Sequence, residues 1–143
     1  MTSEPSSHKT KHRHLVWLCV AAGVLLTVIG VRFMIVPRAA ANNFGLAKQI
    51  TGYEFHYMVG LRDMWLGGLA IVLGVMREWR ALMVWFALGA IVCFSDAGIV
   101  ALSSGKAVAI GFHVLSGVFC GGLALAIRAR LRRRRADGST SIS

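Results

Sequence analysis

Five side chains that carry charge or exchange protons sit inside or beside long apolar runs: Arg32, Arg62, Asp63, Asp96 and His113. Placing a charged group near the centre of a bilayer costs roughly 2.5–3.5 kcal/mol on insertion scales, so each needs a reason to be there. Arginine presents a planar fork of N–H donors that grips anionic or carbonyl oxygens. Aspartate accepts from such donors, and histidine changes charge near neutral pH. Two arginines balance two aspartates, and buried charges need partners of this kind. The chemistry open to such a set is recognition of a polar head group or exchange of protons. The competing account is an ion-pair network that only fixes helix register. Tyr53, Glu54, His56 and Tyr57 are candidates for a rim, or else ordinary interface residues.

Other chemistry finds little support. No nucleophile–base motif and no metal-ligand set is visible, so neither a catalytic residue nor a metal is expected, and an enzyme is the weakest reading. Cys19, Cys93 and Cys120 lie in apolar runs with no C-x-x-C spacing, and read as small reduced core residues. No cofactor is expected; a quinone or a lipid is the candidate ligand.

The elements that position these residues are four apolar runs. They cover about 15–36, 57–76, 81–102 and 107–127, within a transmembrane domain of residues 15–127. A span needs about 20 residues, and continuous runs of this length fit helices rather than alternating barrel strands. The expected fold is all-α: an integral membrane four-helix bundle. Residues 1–14 and 128–143 read as basic tails, the first disordered. The first run also resembles a secretory signal with Ala39-Ala40-Ala41 as its cleavage site. Its length, and Arg32 and Arg38 near that site, favour an uncleaved helix. Between Pro37 and His56 the stretch from Arg38 to Lys48 reads as a short surface helix, with breaks at Gly45 and Gly52. Short turns at 77–80 and 103–106 make the last three helices antiparallel neighbours, with Trp79 at the interface.

Composition agrees. Hydrophobic residues make up 56% and charged residues 15%, where a soluble domain carries about 25% charged. The net charge of +10 does not point to nucleic acid, because the basic residues gather at the ends of the runs. Eleven lie on the side of the two tails, against Arg38, Lys48 and Lys106 opposite. The positive-inside rule then places both termini in the cytoplasm of a cell (inner) membrane. Lipids are the expected partners, together with a homo-oligomer or another membrane protein.

This threading sets the five polar residues at one depth. Arg32 is near the outer end of the first helix. Arg62, Asp63, Asp96 and His113 each lie about two turns from the outer ends of theirs. Gly60, Gly67 and Gly74 recur every seven residues, and Asp63 shares their face. His113, Gly117 and Gly121 recur every four, and small residues of this kind let helices approach closely.

The strings PRAAANNFG, GLRDMWLGG and SDAGIVAL, followed by His113, carry a resemblance. Through Pro37, Ala40, Phe44, Gly45, Gly60, Arg62, Asp63, Gly67, Asp96 and His113, the chain resembles a family of small bacterial membrane proteins known only as a domain of unknown function. The resemblance covers roughly Leu15 to Ile127. That family is similar in turn to the DoxX-like group of four-helix membrane proteins, some of which are linked to quinone or sulfur redox chemistry. The resemblance implies a four-helix bundle and no particular activity. Three functions follow: a binding or accessory protein for a lipid, quinone or small molecule; a proton-coupled small-solute transporter; or a purely structural subunit.

Overall fold

The computed structural model describes residues 7–45, 53–103 and 106–139, with side chains from Arg13 to Arg134 among them. Five helices follow in order: α1 (Ser7–Ile35), α2 (Pro37–Phe44), α3 (Glu54–Met76), α4 (Trp79–Ser103) and α5 (Ala107–Ser139). Four of them are long and apolar enough to cross a membrane, over Arg13–Ile35, Glu54–Met76, Trp79–Ser103 and Ala107–Arg134. Even the shorter ones reach about 34 Å, beyond the roughly 30 Å of hydrocarbon in a bilayer. Large apolar side chains such as Trp65, Val75 and Leu115 point outward, as lipid-facing surfaces do.

The helices run further than the apolar runs. α1 begins at Ser7, so residues 7–14 are helical rather than disordered, and α5 continues through the arginines to Ser139. Once a helix is nucleated, each added residue fixes only its own dihedrals for one more hydrogen bond, and arginine is a good helix former. Residues 1–6 and 140–143 of the two tails lie outside the described residues, as do Lys48, Gly52 and the Ser104–Gly105 part of the last turn.

The packing is two antiparallel pairs rather than a run of equal neighbours: α1 against α3, and α4 against α5. Despite the tight turn between them, α3 touches α4 sparingly. Glycine explains the first pair. A Cβ on Gly30 would stand 2.5 Å from the Gly60 carbonyl oxygen, and one on Gly23 would stand 2.7 Å from that of Gly67. Backbone therefore meets backbone at two points seven residues apart on each helix. Gly74 continues the series against Val20. The buried residues of α3 are His56, Gly60, Asp63, Gly67, Ala70 and Gly74, a 3.5-residue period that keeps one seam on its partner. In the second pair Gly117 receives the Phe94 ring, and Gly121 faces Ala90.

The pairs are tied at both ends. At the arginine-rich end, Cys19 of α1 packs with Trp79, Leu82 and Phe86 of α4 and with Leu123, Ala124 and Ile127 of α5. Trp79 is buried in this cluster, where it opens the buried stripe of α4. The Arg130 guanidinium stacks on its ring at 3.8 Å. At the far end α2 crosses from one pair to the other. Its cap, Gly45, has φ +100°, and a Cβ there would meet Val100 and Ala109 at 2.6 and 2.9 Å. Both the backbone angle and the contact demand glycine.

Candidate functional site

The far half of the bundle brings together side chains from α2, α3, α4 and α5. Asp63 is buried in the α3 stripe. Arg62, one residue away, points elsewhere around the helix, and its long arm returns to its neighbour. Arg62 Nε donates to Asp63 Oδ1 at 3.1 Å, and Nη2 approaches the same oxygen at 3.1 Å. The two ends differ in setting: the arginine side chain is 53% exposed and the aspartate 7%. Arg62 therefore spends part of its donors on a buried carboxylate and presents the rest outside the bundle.

Asp96 is half-buried beside the α4 stripe and lies within electrostatic range of Arg62, Asp63 and His113. His113 is buried in the α5 stripe, one turn after Ala109. Its Nε2 is 3.1 Å from the Phe44 carbonyl oxygen, and its ring meets the Phe44 ring edge-on at 4.5 Å. That carbonyl belongs to the last turn of α2, where helix carbonyls lack partners within the helix. An imidazole carrying its proton on Nε2 satisfies it. Lys106 also reaches α2, donating to the Asn42 carbonyl oxygen at 3.3 Å and to the Asn42 side-chain oxygen.

Arg32 does not join this set. It is exposed on α1, one residue and about 100° from the seam that Gly30 and Phe33 define. The rim residues divide. Tyr53, Glu54 and Tyr57 are exposed, whereas His56 is buried against Phe33 at 6.4 Å between centroids. Its place had a signal in the sequence: 56, 60 and 63 share the spacing that places Gly60 and Asp63 inside. Phe33 also meets Phe44 at 6.0 Å. A string of rings therefore runs from His56 through Phe33 and Phe44 to His113, joining α3, α1, α2 and α5. No pattern of charge or hydropathy marks Phe33, Phe44 or Asn42 for this role, because it depends on how α2 lies across the bundle. Among the described residues there is no group of three or more His, Cys, Asp or Glu placed to hold a metal ion.

Four membrane-spanning helices, a crossing helix and a small Arg–Asp–Asp–His set define the chain as a multi-pass membrane protein with a polar group in its far half. The family model described as "Domain of unknown function (DUF4267)" matches residues 23–127. The chain belongs to that family. No curated protein and no solved structure matches it.

Proposed function

We propose that this chain is a binding or accessory protein of a bacterial inner membrane, with both termini in the cytoplasm. In this reading, the group formed by Arg62, Asp63, Asp96 and His113 takes the polar head of a lipid-soluble ligand, a quinone or a lipid. The observation that carries the reading is the Arg62 guanidinium, half-exposed within a membrane-spanning helix while tied along one edge to buried Asp63. In hydrocarbon its remaining N–H groups call for acceptors, and carbonyl or phosphate oxygens of an amphiphile supply them. Asp96 and His113 stand near enough to orient such a head or to exchange a proton with it. A quinone stands beside a lipid as candidate because that family is similar in turn to the DoxX-like group, some of whose members are linked to quinone chemistry. The excess of basic residues beside both tails supports the orientation.

The test is native mass spectrometry of the gently solubilised protein beside Arg62→Ala. A bound mass carried by the wild type and lost in the variant is the expected result. An empty wild type, with a variant that is merely less stable, would leave the group as a structural clasp. Orientation is read separately: a cysteine replacing Ser141 should react with an impermeant maleimide in inverted vesicles and stay silent in intact cells. Proton-coupled transport is the second reading, favoured by Asp96, which lies beside the packed stripe of α4 and outside the Arg62–Asp63 pair. It requires that Asp96→Asn abolish solute movement while the protein still folds.

A further inference from the structure

Cys93 and Cys120 meet across the contact between α4 and α5. The Cys120 sulfur fills the space beside Gly89, 3.8 Å from where a Cβ at that residue would stand. Gly89 is one turn before Cys93 on the same face of α4. Cys93 is thus the next residue along that face of α4, and Cys120 stands between Gly117 and Gly121 on the facing side of α5. On either side the helices are held close, at Gly121 with Ala90 and at Gly117 with Phe94. Two thiols placed at one level of an antiparallel pair can be joined by side-chain rotation and a small helix shift, because a disulfide asks for Cβ atoms about 3.5–4.5 Å apart.

Their depth selects the reaction partner. Cys93 lies about 21 Å along α4 from Trp79 and about 15 Å from Ser103. Cys120 is about 20 Å from the start of α5 at Ala107. Both sulfurs are therefore in the middle of the hydrocarbon, beyond reach of water-borne thiols and dithiol proteins. A carrier dissolved in the lipid does reach that depth. Asp96 follows Cys93 by one turn, and its carboxylate is within electrostatic range of that thiol, as is Asp63.

We propose that Cys93 and Cys120 are a redox-active dithiol, oxidised to an interhelical disulfide by a lipid-soluble quinone. Two S–H bonds break and one S–S bond forms. Two electrons and two protons pass to the quinone, which becomes the quinol. Asp96 takes the proton of Cys93, and the thiolate adds to a ring carbon of the quinone. Cys120 then attacks that sulfur, the S–C bond breaks, and the quinol leaves with the protons of both thiols. The product staples α4 to α5. This reaction does not depend on what Arg62 binds.

The experiment uses the full chain in lipid nanodiscs, reduced with a phosphine that is then removed, and exposed to a short-chain ubiquinone. Free thiols are alkylated after denaturation and counted by intact mass, while quinol is followed by absorbance. The expected wild-type result is a fall from three alkylated thiols to one, with one quinol formed per disulfide. Cys19→Ser should fall from two to none, and Cys93→Ser and Cys120→Ser should each keep both remaining thiols. A wild type that keeps three alkylated thiols in the presence of quinone overturns the proposal, even where copper phenanthroline links the pair. Loss of thiols that persists in Cys93→Ser overturns it as well. Arg62→Ala should still form the disulfide, which separates this outcome from that of the ligand-binding reading.

Discussion

Replacing Gly67 with alanine sets a methyl group where α1 already stands. A Cβ at residue 67 would press on Thr27 Oγ1 and lie 2.5 Å from the Gly23 carbonyl oxygen and 2.7 Å from the Thr27 amide nitrogen. Comfortable contacts to carbon are roughly 3.5–4.0 Å, so α1 and α3 must part by about 1 Å at this point. Two of the three obstacles are backbone and cannot rotate aside. The Thr27 hydroxyl is itself held, donating to the Gly23 carbonyl oxygen at 2.9 Å. Forcing a methyl group into a tight contact of this kind costs about 1–3 kcal/mol. The neighbouring residue supplies the control. A Cβ on Gly68 would meet nothing within 4 Å, and alanine improves helix propensity by up to about 1 kcal/mol. Both variants should be unfolded with increasing SDS in mixed micelles and followed by circular dichroism at one protein-to-detergent ratio. Gly67→Ala should lose about 1–3 kcal/mol, and Gly68→Ala should match or exceed the wild type. Equal stability of the two variants would refute the account of α1 and α3 as a backbone-to-backbone pair.

Further tests address the polar group and its surroundings. Arg62→Ala removes the donors to buried Asp63 and should cost about 1–3 kcal/mol, at the low end because the arginine is half-exposed. Adding Asp63→Asn should recover part of that loss in a double-mutant cycle, and strictly additive losses would mean that the pair is not coupled. His113→Ala takes the partner from the Phe44 carbonyl oxygen, so amide exchange in residues 37–45 should quicken. Unchanged exchange there would show that α2 is held by other contacts. Phe86→Ala empties a fully buried site in the apolar cluster and should cost about 3–5 kcal/mol. A loss below 1 kcal/mol in the same SDS titration would argue against that cluster as the tie between the pairs.

The four spans were legible because hydropathy and length alone decide whether a run can cross a bilayer. The α4–α5 pair was legible from the short turn between those helices, but the α1–α3 pair was not, because the turn at 77–80 makes α3 and α4 look like natural neighbours. What decides pairing is how closely backbones can approach, and that needs small residues on both partners. Gly60, Gly67 and Gly74 showed one half of this. The matching spacing of Gly23 and Gly30 on α1 showed the other half, but charge and hydropathy give no reason to align the two. His56 was misread for a related reason: with the helix starting at 57, it fell outside the stripe that buries it. Depth and charge balance both place Arg32 with the polar set in the sequence, and neither says anything of azimuth. The role of α2 lies further still from the sequence, since Pro37 and Gly45 mark its ends but not the direction in which it lies.

The arrangement of supports bears on how a ligand could enter. The two pairs are joined by the apolar cluster at the basic end and by α2 at the far end, with little contact between α3 and α4. Asp63 belongs to one pair, and Asp96 and His113 to the other. The polar group therefore spans a seam between two preassembled halves, and is not enclosed within either. A head group arriving beside Arg62 would have to widen that seam, leaving the glycine contacts of α1 and α3 and the Phe94–Gly117 contact of α4 and α5 intact. The element that resists widening nearest to the group is α2, through Phe44 on His113 and Asn42 on Lys106. Weakening those two links should make entry easier without disturbing either pair. His113→Ala removes a member of the group as well as a link, so Lys106→Met is the cleaner probe. Its exposed bonds to Asn42 should matter by no more than about 0.5 kcal/mol to stability. Ligand exchange measured by native mass spectrometry should nonetheless be faster in this variant than in the wild type. An unchanged exchange rate would place the entrance somewhere other than the seam that α2 closes.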